Sequence, residues 1–322
     1  MFKKILISSA LILVATAGLA SAEALKVDKS LKNYKAVGGV SGNLNSIGSD
    51  TLNNLMTMWA EGFRKKYPNV NIQIEGKGSS TAPPALVAGT AQLGPMSREM
   101  KNSEIDAFAK KYGYKPTKIA VAIDTIALFV NKDNPVKSLS MEQIDAIFSK
   151  NRKRGYPSNI TTWGQLGVTG KMAAQPISLY GRNSASGTYG FFKEIALSKG
   201  DFKNIVKEQP GSASVVQGIT KDKNGIGYSG IGYQTSGIKI LPVSAKAGQP
   251  AYEATYANAL SNKYPLSRFL YIYVAKNPKK PLPKLTEEFL TFVLSKEGQE
   301  IVIKDGFLPL TEKLSAKSRS SL

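Results

Sequence analysis

Lys118 to Asn131 reads KIAVAIDTIALFVN, and Leu266 to Val274 reads LSRFLYIYV. Both runs are rich in β-branched and aromatic residues, and the first is far longer than the roughly five or six residues of an ordinary strand. A strand of that length is long enough to pass from one sheet into another. The two runs bracket the middle of the chain, so the simplest architecture is α/β with two lobes. Residues 23–131 and 264–322 form the first lobe, residues 132–263 form the second, and the two crossings act as a hinge.

Outward from these runs the hydrophobic period alternates between two and 3.6, the signature of α/β structure. Leu52, Leu55, Met56, Trp59 and Phe63 share one helical face, closed by Tyr67-Pro68, and Val70, Ile72 and Ile74 alternate as a strand. A short helix is expected from about Pro83 to Ala88. Capping boxes are expected at Ser103 with Asp106 and at Ser140 with Gln143. Ile177 to Tyr180 reads as a strand leading into a helix from about Thr188 to Leu197. A further helix is expected over about Ala213 to Thr220, a strand over Ile226 to Tyr228, and a closing helix from Thr286 to Leu294 with a turn near Gly306.

The N-terminus sets the compartment. Lys3 and Lys4 precede an apolar run from Ile5 to Leu19, and Ala20-Ser21-Ala22 supplies a small-x-small cleavage site. Residues 1–22 therefore read as a cleavable signal peptide, too short for a membrane span. The chain contains no cysteine and no histidine. That composition excludes disulfides, lipid attachment at a mature N-terminal cysteine, thiolate or imidazole metal sites, and Ser-His-Asp or Cys-His catalysis. A soluble periplasmic protein, not a lipoprotein, is the expected product. The formal charge of +20 becomes +18 once Lys3 and Lys4 are removed, which favours an anionic partner. Export and the scatter of the cations argue against nucleic acid.

Three Gly/Ser/Thr loops each run into an apolar helix: Gly48-Ser49-Asp50-Thr51, Gly78-Ser79-Ser80-Thr81 and Ser184-Ala185-Ser186-Gly187-Thr188. Free N–H groups at a helix start carry partial positive charge, and neighbouring hydroxyls add donors. One such loop is commonly no more than an N-cap; three of them together point to an oxyanion site. Arg182, in Gly181-Arg182-Asn183-Ser184, adds a planar donor fork beside the third loop. Arg98, after Ser97, is a second candidate, with a surface ion pair as its alternative.

The chain resembles the substrate-binding components of bacterial phosphate ABC transporters (PstS-like), among the type II periplasmic binding proteins. The resemblance rests on SIGSDTLNNLMTMWAEGFRKKYP, IEGKGSSTAPPALVAGTAQLGPMSREM, VAIDTIALFVNKDNPVKSLSMEQIDAIF, the Trp163 loop, GRNSASGT and VLSKEGQEIVIKDGFLPL, which cover most of the chain after the signal peptide. It implies a two-lobe fold with two hinge-crossing segments. It also implies phosphate contacts from Ser49, Thr51, Ser79, Ser80, Ser97, Arg98, Arg182, Ser186, Gly187 and Thr188. The implied partners are inorganic phosphate and the membrane permease and ATPase subunits; a monomer with no cofactor, no metal and no enzymatic activity is expected. The best-studied branch of the family has an aspartate where this chain has Ser97, and uses it to accept the proton of hydrogen phosphate. Asp50 is the candidate acceptor here, with N-capping as its alternative.

Gly225 to Gly230, GIGYSG, matches G-x-G-x-x-G, but it follows a polar turn and lacks the flanking strand and helix of a dinucleotide site. The rival functions are a binding protein for another tetrahedral oxyanion, a secreted phosphohydrolase, and an adhesive surface protein exploiting the positive charge. The missing histidine and cysteine, and the lack of a clustered acidic set, weigh against the hydrolase.

Overall fold

A computed structural model describes residues 25–322, so the expected signal peptide lies outside the described residues. The strands are β1 (Gly42–Ile47), β2 (Val70–Glu75), β3 (Gly94–Met96), β4 (Thr117–Asn131), β5 (Leu139–Ser140), β6 (Ser178–Arg182), β7 (Lys207–Gln209), β8 (Gly225–Gly230), β9 (Ile238–Leu241), β10 (Val243–Ser244) and β11 (Ser267–Val274). The helices are α1 (Asn53–Arg64), α2 (Ala82–Ala88), α3 (Asn102–Tyr112), α4 (Met141–Phe148), α5 (Gly187–Ile195), α6 (Ser212–Lys221), α7 (Tyr256–Leu260), α8 (Lys284–Val293), α9 (Lys296–Lys304) and α10 (Glu312–Arg319).

The long strand β4 organises the rest. Its first half, Thr117 to Thr125, pairs antiparallel with β11, whose other edge takes β3. Its second half leaves β11 and pairs with β8 on one edge and β9 on the other. β8 continues in parallel to β6 and β7, which gives the order β3-β11-β4-β8-β6-β7. The apolar register of β4 follows this change of partners. Ile119, Val121 and Ile123 enter one core with Trp59, Phe63, Leu270 and Phe292. Ile126, Leu128 and Val130 enter another with Phe148, Trp163, Phe192 and Tyr228. Between the two triplets stand Asp124 and Thr125, both fully buried. One strand thus threads two cores, with a polar dipeptide at the change-over.

Local chemistry explains most boundaries. The five residues on the expected α1 face are all fully buried. Burying such side chains stabilises by about 1.5–3 kcal/mol each, and Trp59 Nε1 donates to the Gly298 carbonyl at 2.8 Å. Ser140 and Gln143 form the expected reciprocal cap. The α3 cap lies earlier than expected: Lys101 is the N-cap, and its N–H donates to Glu104 rather than the cap being formed by Ser103 and Asp106. GIGYSG forms β8 itself, enclosed between β4 and β6, so its glycines serve close packing against Tyr180 and Asp124. The terminal segment beyond Gly306 also forms α10, which packs on β4 and whose Ser318 Oγ donates to the Ala120 carbonyl. No described helix is long and apolar enough to cross a membrane.

Candidate functional site

The first two Gly/Ser loops are brought side by side because β1 and β2 run parallel and end together. β1 leads through Gly48-Ser49 into a 3-10 turn and α1, and β2 leads through Gly78 into a 3-10 turn and α2. The end of β3 places Ser97 between them. Ser49 Oγ donates to Ser97 Oγ at 3.1 Å, Ser97 N donates to Ser79 Oγ at 3.0 Å, and Ser79 and Ser97 hydroxyls lie 3.3 Å apart. All three serines are buried. Ser49 makes no capping bond to its own turn, so capping does not explain it.

The third helix start faces this cluster from the other core. Ser80 N donates to the Ala185 carbonyl at 3.1 Å, and the Thr51 and Thr188 hydroxyls meet at 3.0 Å. Two glycines permit the approach. Gly78 has φ +122°, and a Cβ there would stand 2.6 Å from the Ala185 oxygen. A Cβ on Gly187 would stand inside contact distance of Ser79 Oγ and 2.6 Å from Ser97 Oγ. Ser186 is a true N-cap, its Oγ accepting from Thr188 N at 3.1 Å, which leaves its hydroxyl hydrogen to donate.

Arg182, at the end of β6, is almost wholly buried. Its Nη1 donates to Ser212 Oγ at 2.7 Å, and its Nη2 donates to the Pro210 carbonyl at 3.1 Å. Nη2 also lies 3.1 Å from Asp50 Oδ2. Its Nε is buried without a protein partner. Burial pulls the Arg182 guanidinium down from its usual range, opposed chiefly by the Asp50 carboxylate. A buried donor of this kind costs free energy unless an acceptor meets it. Asp50 Oδ2 accepts from Ser212 N at 2.9 Å and from Ser212 Oγ at 3.0 Å, beside its ion pair with Arg182. It caps a helix, but that helix is α6 across the cleft, where a carboxylate is favoured by the exposed N–H groups. Tyr233 adds a bond across the cleft from its hydroxyl to the Asp50 carbonyl at 3.0 Å.

Arg98 is buried, so its ion pair with Glu104 is not the surface pair of the alternative. It forks onto Glu104 at 2.7 and 2.8 Å and reaches Ser80 Oγ only at 3.3 Å. Ser212, Asp124 and Arg268 are site neighbours that the sequence reading missed. Arg268 Nε and Nη2 donate to Asp124 Oδ2 at 3.0 and 2.8 Å, and Nη2 also donates to Thr188 Oγ1 at 2.8 Å. A signal for the pair was present: Asp124 and Arg268 each interrupt the apolar body of a crossing run.

Serine and threonine hydroxyls and one guanidinium edge thus face one small region between two cores. Such a donor-rich, buried set suits a small oxyanion. Among the described residues no group of three acidic, histidine or cysteine side chains is placed to hold a metal ion.

Comparison with known proteins adds an independent line. The model of the PBP superfamily domain matches residues 33–297. A phosphate-binding protein PstS from Pseudomonas aeruginosa is 56% identical over 319 residues, covering 99% of this chain and 98% of the relative. A phosphate-binding protein PstS from Staphylococcus epidermidis is 30% identical over 81% of this chain and 77% of its own length. Among solved structures, a putative phosphate ABC transporter substrate-binding protein from Clostridium perfringens, with bound phosphate, superposes with a TM-score of 0.70. It is 29% identical, covering 84% of this chain and 100% of that one. An ABC-type phosphate transport receptor from Vibrio cholerae shares the fold, with a TM-score of 0.64 at 23% identity over 83% of this chain and 100% of that one.

Proposed function

The chain belongs to the PBP superfamily and, within it, to the PstS phosphate-binding proteins, and from that premise we propose that it captures inorganic phosphate between its two lobes for delivery to an ABC transporter. The observation that carries the reading is Arg182, whose buried Nε lacks a protein acceptor beside three Ser/Thr helix starts. Phosphate supplies that acceptor. The contacts are assigned to Ser49, Thr51, Ser79, Ser97, Arg182, Ser186, Gly187 and Thr188, with Ser80 and Arg98 bordering them. Asp50 serves as a latch on Arg182 and α6 rather than as a ligand.

In this reading residues 23–131 and 264–322 make one lobe and residues 132–263 the other; the presence of two cores supports two lobes, while Ile126, Leu128, Val130 and Leu266 on the crossing runs pack into the second core. The protein works as a monomer, exported to the periplasm by a cleaved signal peptide without lipid attachment. It carries its ligand without chemistry, and its partners are the permease and ATPase subunits. Isothermal titration of phosphate-stripped protein tests the reading. It should give a 1:1 complex of about micromolar affinity or tighter, roughly −8 kcal/mol. Absence of heat and of thermal shift in millimolar phosphate would refute it; tighter binding of sulfate would reassign the ligand to another tetrahedral oxyanion.

A further inference from the structure

The pair Asp124–Arg268 occupies an unusual place. The two residues are register partners on the crossing strands β4 and β11. They sit where β4 leaves one core for the other, and Asp124 Oδ1 accepts from Ile231 N, just past β8, at 3.2 Å. Burial raises the Asp124 carboxyl and lowers the Arg268 guanidinium, while their mutual attraction opposes both. An arginine keeps its proton in any such site, and two of its N–H groups donate to one Asp124 oxygen. A buried ion pair adds little to stability compared with apolar packing, so its further contacts bear on any other role.

That role is visible at Thr188. Arg268 Nη2 donates to Thr188 Oγ1 at 2.8 Å, and the Thr51 and Thr188 hydroxyls lie 3.0 Å apart with either able to donate. A hydroxyl has one hydrogen and two acceptor sites, and a guanidinium can only donate. Arg268 therefore fills one acceptor site of Thr188, and a Thr51 hydroxyl donating into the other leaves the Thr188 hydrogen for a ligand oxygen. The charge also polarises the O–H bond and strengthens its donation. Asp124 fixes the guanidinium in turn, taking both Nε and Nη2 on one oxygen. Arg268 Cζ lies 5.3 Å from the centroid of the Phe191 ring, on the same helix as Thr188.

We propose that Arg268, held by Asp124 at the crossing strands, is a positioning residue that makes Thr188 an obligatory hydrogen-bond donor to the bound oxyanion. The proposal rests on the phosphate-capture reading. It selects a ligand oxygen that is a pure acceptor at Thr188 and disfavours one carrying a proton there. It also ties the hinge strands to the helix start of the second lobe.

A double-mutant cycle read by phosphate titration separates positioning from mere support. Removing Arg268 alone would strand a buried carboxylate, so the first arm is the paired, neutral change Asp124→Asn with Arg268→Gln. The second arm is Thr188→Val, and the third combines them. Titration runs to 100 mM phosphate, and the melting temperature of each stripped protein is recorded. The expected result is roughly a tenfold loss of affinity from the neutral pair when Thr188 is present, and a change of less than about twofold in the Thr188→Val background. Equal losses in both backgrounds would make the pair a structural support and overturn the proposal. So would a Thr188→Val protein silent even at 100 mM, because a positioned donor does not account for complete loss. A wild-type protein that fails to bind phosphate would instead refute the underlying reading.

Discussion

Gly187→Ala is the substitution that most sharply separates folding from closure. Gly187 opens α5 with an ordinary negative φ, and alanine is the better helix former by up to about 1 kcal/mol. Within its own lobe the change is neutral or stabilising. Across the cleft, however, its methyl would meet Ser79 Oγ, Ser97 Oγ at 2.6 Å and Ser79 Cβ at 3.0 Å. Rotating the Ser79 side chain relieves one contact only by breaking its bond from Ser97 N. Overpacking of this kind costs about 1–3 kcal/mol, which is roughly 5- to 150-fold in affinity, and it is felt only when the lobes are together. Calorimetric titration and thermal denaturation of the stripped protein give the two readouts. Affinity should fall by that factor while the melting temperature without phosphate stays level or rises. Unchanged phosphate affinity would mean that α5 does not dock on the Ser79–Ser97 pair in the bound form.

Arg182→Ala should weaken phosphate by about 2–5 kcal/mol, and Arg182→Lys should weaken it less but measurably, since a point charge lacks the fork; titration showing wild-type affinity in both would leave Arg182 only its Asp50 and Ser212 contacts. Burial holds the Asp305 carboxyl up at about 6, against the opposing bond from Asn54. The native state then keeps a proton that the unfolded state releases between about pH 4 and 6, so this group lowers stability as pH rises through that window. Asp305→Asn should raise the melting temperature at pH 7 relative to that at pH 4, and a shift of opposite sign would show that the carboxyl is not raised. Phosphate should reduce the radius of gyration by small-angle scattering and shorten the distance between spin labels at Asn102 and Asn204, both exposed; constancy of both measurements would indicate a rigid preformed pocket.

What the sequence made legible was local. The face of α1, the Ser140–Gln143 cap and the Gly/Ser helix starts depend on residues within a turn or two of one another. Even β4 announces its double life, because two apolar triplets stand on either side of Asp124-Thr125. What the sequence left out are the distant partners of buried charges, which local pattern does not reveal. Asp50 finds Ser212 at a separation of 162 residues, and Asp124 finds Arg268 at 144. Arg98 was legible only as an arginine beside a strand end; its commitment to Glu104 needs the α3 cap to sit at Lys101. Sequence patterns fix periodicity and turns well, while the choice of partner for a buried charge depends on register across sheets.

The contacts across the cleft imply how the ligand's binding energy is used. Between the two lobes run the Ser80–Ala185 backbone bond, the Thr51–Thr188 hydroxyl pair, the Asp50 links to Arg182 and Ser212, and the Tyr233–Asp50 bond. Each is worth about 0.5–1.5 kcal/mol net, and those to charged groups somewhat more. They oppose the desolvation of buried serines and of two guanidinium groups, which favours the open form. All of these contacts need the lobes together, so they act in the same direction as a ligand that favours the closed form. Arg182 lies on this divide, because it is tied to Asp50 across the cleft while its Nε remains for the anion. A transporter that recognises the closed outline would then read occupancy through the same arginine that holds the ligand.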